Sequence, residues 1–271
     1  MTAIDTDGGM NVLSKLRALR CGSIAADLMG LDSRDLDQWL ADACRLIASM
    51  SDNDLAITAH VCLADDAGTR PTVAHVACAG IADAHATTLV DEARRGCHEN
   101  DIWFTPALLR GTQTRTVRRS DIISDQDWQT SRYRDLLASV GIRDLAVVII
   151  PIESPEPDRS AALVLEVGGL DAGWTANDCL LLSMEVIAPV IRMAMTIRFL
   201  RPLRHRHELL GRLSPTQRRI APMLADGMTE KEIAEALERS PHTVHEHAKS
   251  IYSSWNVRSR FDLRRKWFAG A

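Results

Sequence analysis

The chain has 271 residues, 46% of them hydrophobic and 25% charged, with a formal net charge of −4. That length allows one large domain or two ordinary ones, and that apolar content excludes a disordered chain. The longest uninterrupted apolar run, near Leu145–Ile152, falls far short of the ~20 residues of a membrane-spanning helix. The first residues, MTAIDTDGGM, lack the basic and apolar regions of a secretory signal. A cytoplasmic protein with no membrane partner is expected. The six cysteines (Cys21, Cys44, Cys62, Cys78, Cys97, Cys179) are dispersed and form no CxxC. That argues against a zinc module and a disulfide framework and for reduced, mostly buried thiols. The charge is divided: residues 201–271 carry 14 Lys and Arg against 8 Asp and Glu, a net of +6. Residues 1–200 are left with 18 against 28, a net of −10. A basic segment behind an acidic body suits nucleic-acid binding by the segment alone.

In chain order, residues 1–10 read as a flexible terminus and Val12–Leu19 as a short helix. Asp32 or Ser33 is placed to cap a helix whose Leu36, Trp39, Leu40, Ala43, Leu46, Ile47 and Met50 recur at helical spacing. Leu55–Leu63 and Thr72–Ala79 read as a hairpin across a polar loop. His85–Arg95 reads as a helix, 97–111 as irregular and Gly111–Arg119 as a short strand. A helix over Asp125–Ser139 precedes two strong strands, Asp144–Ile152 and Ser160–Val167, the first apolar enough to be central. Trp174–Leu200 is a long helical pattern that Pro189 should kink or divide. The order is that of an α+β fold with an antiparallel sheet, not of a doubly wound fold.

The last stretch, Leu213–Phe268, is the most organised. Ser214-Pro215 and Ser240-Pro241 each pair an N-cap with a proline at the first helical position. Thr229 caps a helix opening Glu230-Lys231-Glu232, Gly227 supplies a left-handed C-cap, and Ser259 opens a helix to Phe268. Ile220 and Leu224, then Ile233, Ala234 and Leu237, then Val244, Ala248 and Ile251 form apolar stripes. Each helix is too short to stand alone, so the stripes must pack on one another. Thr229–Leu237, a turn at Glu238-Arg239 and a helix from Pro241 make a helix-turn-helix unit whose second helix fits a major groove.

This stretch resembles the DNA-binding domain of the LuxR/GerE regulators. The matching residues are Leu213-Ser-Pro, Ala225-Asp-Gly, Lys231-Glu-Ile-Ala, Ser240-Pro-His-Thr-Val, His247, Ile251-Tyr and Asn256-Val-Arg-Ser-Arg. Ahead of it, Tyr133-Arg-Asp-Leu-Leu-Ala-Ser-Val-Gly-Ile-Arg-Asp and Trp174-Thr-Ala-Asn-Asp are similar to GAF-type domains, with PAS a close competitor. The resemblances imply a short helical N-terminus (1–30), a GAF-like sensory or dimerisation domain (31–200), a linker (201–212) and a four-helix LuxR-type helix-turn-helix domain (213–271). They imply a dimeric transcription regulator with double-stranded DNA as partner, an unknown small-molecule ligand, no cofactor and no catalytic residue.

The expected DNA-binding residues are Thr229, Lys231, His242, Thr243, His245, Glu246, Lys249, Arg258 and Arg260. His245 and Lys249 are four apart on one side of the helix. Lys249 reaches guanine acceptors and Glu246 a cytosine amino group, while Thr243 and the helix N-terminus hold phosphate. The resemblance places His245, Glu246 and Lys249 where the family touches bases. Thr229, Lys231, Arg258 and Arg260 are phosphate candidates. The chain departs from the family in His245 for a usual Lys, Gln217 for a common Glu, and Ser253 and Ser254 for basic residues. A histidine is only partly charged near neutral pH, so weaker, more pH-sensitive binding is expected. Two other classes are weighed: an interaction protein that has lost specific DNA contacts, and a cysteine-based redox enzyme. His242, His245 and His247 lack a recognised zinc spacing. His60, Cys62 and Cys78 share one face of the hairpin and His75 the other, read as core thiols and a satisfied histidine, with a metal or haem pocket as the alternative.

Overall fold

The computed structural model describes residues 20–33, 35–50, 55–65, 71–96, 109, 111–154, 156, 159–171 and 174–269. The expected flexible terminus, the helix over Val12–Leu19 and most of the irregular segment 97–111 lie outside those residues, as does Cys97. The chain forms two compact units, divided between Thr196 and Ile197.

In the first unit, helix α1 (20–30) buries Cys21, Ile24 and Leu28 at helical spacing. Helix α2 is Leu36–Ala48. Its cap is Asp35, not Asp32 or Ser33: the Asp35 carboxylate accepts from Gln38 N at 2.8 Å. Ser33 instead donates to Asp42 at 2.5 Å. Strands β1 (Leu55–Asp65) and β2 (Thr72–Ala79) form the expected hairpin, with a bulge between Val61 and Cys62. Helix α3 (Asp83–Arg94) precedes a short strand, β3 (Arg115–Arg118).

The helix expected over Asp125–Ser139 is two: α4 (Asp125–Thr130) and α5 (Arg132–Ser139). Ser131 is extended (φ −73°, ψ 130°), ending the first, and its hydroxyl accepts from Arg134 N to start the second. A serine side chain competes for backbone donors, which favours a cap over a helix interior. Strands β4 (Leu145–Ile152) and β5 (Arg159–Gly169) complete an antiparallel sheet in the order β2-β1-β5-β4-β3. β4 is buried along its whole length, as a strand flanked on both sides must be.

Alternation along β1 sorts the two faces. Ala56, Cys62 and Ala64 pack with Val147, Ile149 and Val164 under Leu89, Trp128, Tyr133 and Leu137 from α3 to α5. The other face is covered by α2, against β1 and β2, and by α6 (Asp178–Met195), against β3 and β4. Pro189 does not divide α6. It lies on the exposed side, where water satisfies the carbonyl freed by its missing N–H.

Scattered charges hide one property from a search for unbroken apolar runs. The helical stretch Asp178–Gly211 is long and apolar enough, by length and composition, to cross a membrane. Within it, α6 buries Met184, Ile187 and Ile191 against the sheet side, as a core helix does.

A π-helical turn (Thr196–Leu200) begins at the division, and α7 (Arg201–Gly211) follows it in the second unit. The stretch expected as a linker, 201–212, is therefore helical; Pro202 sits in its first turn, where no N–H bond is forfeited. Then come α8 (Pro215–Asp226), α9 (Glu230–Ala236), α10 (Pro241–Ser254) and α11 (Arg260–Phe268). Their stripes join Leu209 and Leu213 in one core that includes Trp255 and Trp267. These two rings stack with centroids 5.7 Å apart, and the Trp255 indole donates to Leu209 O at 3.0 Å.

Candidate nucleic-acid interface

The helix-turn-helix is set by its caps. Thr229 and Glu232 form a capping box: Thr229 Oγ1 accepts from Glu232 N at 3.2 Å, and the Glu232 carboxylate accepts from Thr229 N at 2.6 Å. The bonds from the Thr229 backbone, then its hydroxyl, hold the Glu232 carboxyl below the usual glutamate range. The turn carries Glu238 at φ 52°, and Arg239 N closes back onto Ala234 O at 2.9 Å. A residue in the left-handed region ends α9 abruptly, which lets α10 start three residues later at a new angle. Ser240 caps α10, its hydroxyl accepting from Thr243 N at 3.1 Å.

On α10, Val244, Ala248 and Ile251 are buried in the unit's core. His242, Thr243, His245, Glu246 and Lys249 are all exposed, on the side turned from that core. His242, His245, Glu246 and Lys249 thus form one outward strip. His245 does not stand alone: its Nδ1 lies 3.1 Å from Glu230 Oε2 at the start of α9. The Thr243 hydroxyl is shared with Ser240 at 2.8 Å. Thr229, Lys231 and Arg258 are exposed, and Arg258 lines a cleft of about 460 Å³ with Asn256, Asp262 and Lys266. Arg260 differs: it is half-buried, its Nε donates to Leu224 O at 3.4 Å, and its Nη2 is buried without a hydrogen-bond partner. The guanidinium ties α11 to the end of α8 rather than facing outward.

Gln217, the departure in the first helix of this domain, has two tasks. Its Oε1 accepts from Ser214 N at 2.9 Å, completing a capping box, and its Nε2 donates to Ser250 of α10 at 2.8 Å. The Ser-x-x-Gln spacing from Ser214 carries the first of these in the sequence. The second, like the His245–Glu230 pair, joins residues far apart in the chain and has no local signal.

The first unit holds a buried polar cluster under α5. Glu166 of β5 stands opposite Thr58 of β1 and Val147 of β4. Its Oε2 accepts from Thr58 Oγ1 at 2.7 Å and from the Tyr133 hydroxyl, and His60 Nε2 is 3.4 Å away. All four residues are 3% exposed or less. His60 is thus a satisfied core histidine, while His75, on the other face, meets Asp37 of α2 at 2.9 Å. Glu166 was not singled out in the sequence, although it is the one charge in the run Ala161–Val167, and Tyr133 entered only as part of the GAF-like stretch. Burial raises the thiol pKa of Cys44 and Cys62, and burial with Glu166 nearby pushes Cys78 up to about 12. Redox or nucleophilic cysteine chemistry requires the opposite shift. Among the described residues, no three His, Cys, Asp or Glu side chains are grouped to hold a metal ion.

Residues 212–266 match the family described as bacterial regulatory proteins, luxR family. No curated protein matches the chain. Among solved structures, SdiA in complex with octanoyl-rac-glycerol is 16% identical, aligning 100% of this chain with 97% of that one at a TM-score of 0.41. Escherichia coli SdiA is 18% identical, over 86% of this chain and 90% of that one, with a TM-score of 0.41. The phycocyanobilin-bound GAF domain of a cyanobacterial phytochrome is 12% identical, over 68% and 96%, with a TM-score of 0.36. Residues 212–266 thus form a luxR-type domain of the kind found in bacterial regulatory proteins.

Proposed function

We propose that this protein is a DNA-binding transcription regulator that acts as a dimer, with α10 as the recognition helix in the major groove. The observation that carries the reading is the exposed strip His242, His245, Glu246 and Lys249, set on a helix whose opposite side is locked in the core. A helix presented in this way has the diameter and polar edge a major groove admits. Lys249 and Glu246 are assigned to base edges and His245 to a neighbouring base, with its pairing to Glu230 holding the ring. Thr229, Lys231, Thr243 and Arg258 are assigned to phosphates. Arg260 is assigned to structure. The first unit is read as a GAF-like sensor or dimerisation domain, and the chain as cytoplasmic and without enzymatic activity.

The test is selection of bound duplexes from a random DNA pool by the full chain. An enriched two-fold sequence, lost on Lys249→Ala, supports the reading. A pool that stays random at low salt overturns it and leaves the rival of an interaction protein, which the inward Arg260 and the tied His245 favour.

A further inference from the structure

The outward side of α6 is apolar where a solvated helix is normally charged. Leu182, Val186 and Met193 are 61%, 59% and 48% exposed, and Pro189 between them is exposed as well. At the helical repeat these four positions fall within about 60° of arc, opposite the side already buried against the sheet. Two charges border the row. Glu185 lies three residues past Leu182 and Arg192 three past Pro189, both exposed, so they share one flank two turns apart. The other flank at the same levels carries Ser183 and Val190, with no charge.

We propose that this face binds a second copy of the chain, with the two α6 helices antiparallel about a two-fold axis near Pro189. The proposal rests on the dimeric reading above and adds the surface and its direction. A two-fold contact must be self-complementary. Antiparallel helices set the same flank of each copy against the other. Glu185 of one copy then meets Arg192 of the other, and the pair occurs twice. Parallel helices set the charged flank against the Ser183 and Val190 flank and leave all four charges without a counter-ion. A bare apolar row gives no such direction; the charge pattern does.

The test is the dimer dissociation constant of the full chain by sedimentation equilibrium, with thermal melting as the folding control. Val186→Asp gives monomers. Glu185→Arg and Arg192→Glu each weaken the dimer about tenfold, since each sets two like-charged pairs face to face. The double variant, Glu185→Arg with Arg192→Glu, restores it. A dimer untouched by Val186→Asp overturns the surface and leaves the dimeric reading standing. Single reversals without effect, beside a disruptive Val186→Asp, overturn the antiparallel direction and point to another partner geometry. A wild-type monomer that still selects single sites from the DNA pool overturns both the surface and the dimeric reading, but not DNA binding.

Discussion

Glu166 shows how a single residue can be expensive and still well placed. A carboxylate under a sheet face lined by Val147 and Val164 loses its hydration, and only hydrogen bonds from its neighbours offset that loss. Thr58 and Tyr133 donate to one oxygen and His60 stands beside it. Replacing Glu166 by Ala leaves those groups without their acceptor, so it should destabilise the first unit by a few kcal/mol, at about 1–3 kcal/mol for each donor left unsatisfied. Denaturant unfolding followed by Trp fluorescence measures this. Tyr133→Phe, which removes one donor and keeps the ring, should cost less, about 1–3 kcal/mol. Equal losses from both changes would show that the Tyr133 hydroxyl bond carries the whole effect and that Thr58 and His60 add nothing. His60 was legible in the sequence as a buried histidine on the hairpin, because strand alternation assigns its face. Its acceptor was not, because the partners lie 106 residues apart and no local pattern links them.

Caps are local, and at the scale of elements they were the most readable feature. Ser214, Thr229, Ser240 and Ser259 were all placed from sequence and all cap as read. The misreadings came where two signals compete. Three residues of capping type, Asp32, Ser33 and Asp35, precede α2, and only the backbone geometry chooses Asp35. Ser131 sits inside a helical pattern, and the pattern outvoted the cap. α7 was taken for a connection because its residues are basic and lack a long apolar stripe.

The two capping boxes differ in one atom set, Gln217 in α8 and Glu232 in α9, and that gives a pH prediction. The folded Glu232 carboxyl titrates below its ordinary range, through the Thr229 backbone and then hydroxyl bonds. Its folded pKa is depressed, so its contribution is present above the unfolded value and is lost as pH falls through the folded one. Glu232→Gln keeps the box but not the charge. The variant should therefore be somewhat less stable than wild type near neutrality, show a shallower loss of helix-turn-helix stability on the acid side, and converge with wild type at low pH. Circular dichroism melts across the carboxylate range measure it. Identical acid limbs in wild type and variant would remove Glu232 from the account. Gly227 supplies a second test of the same helices: at φ 100° it ends α8 in the left-handed region, so Gly227→Ala should cost about 1 kcal/mol.

The whole molecule divides its labour by charge. The sequence places +6 on residues 201–271 and −10 on residues 1–200. This global feature was legible without any structure, because composition needs no fold. What it did not reveal is that some of the cations are engaged by the fold itself. Arg260 turns inward to Leu224 O, Arg218 donates to Leu210 O and Leu213 O, and Lys266 donates to Trp255 O. Charge counted from the sequence therefore overstates the charge offered to phosphate.

That difference can be measured as a salt slope. Each phosphate neutralised by Lys or Arg releases counter-ions and contributes about −0.9 to the slope of log K against log salt. With Lys231 and Arg258 as the charged phosphate contacts in each copy, a dimer makes four, and the slope should be about −4. Affinity should then fall on the order of a hundredfold between 50 and 200 mM salt. Arg258→Ala removes two contacts per dimer and should bring the slope to about −2, uniformly across DNA sequences. Lys249→Ala should act differently: it relaxes preference at one base position in each half-site, at a cost of about 1–3 kcal/mol. A wild-type slope near −8 would mean that further cations reach phosphate, either exposed ones such as Arg239 and Arg264 or an Arg260 that swings out. In the second case Arg260→Ala should lower both the slope and the affinity. If the four-contact account holds, Arg260→Ala instead loosens the joint between α8 and α11 and lowers thermal stability, with the salt slope unchanged.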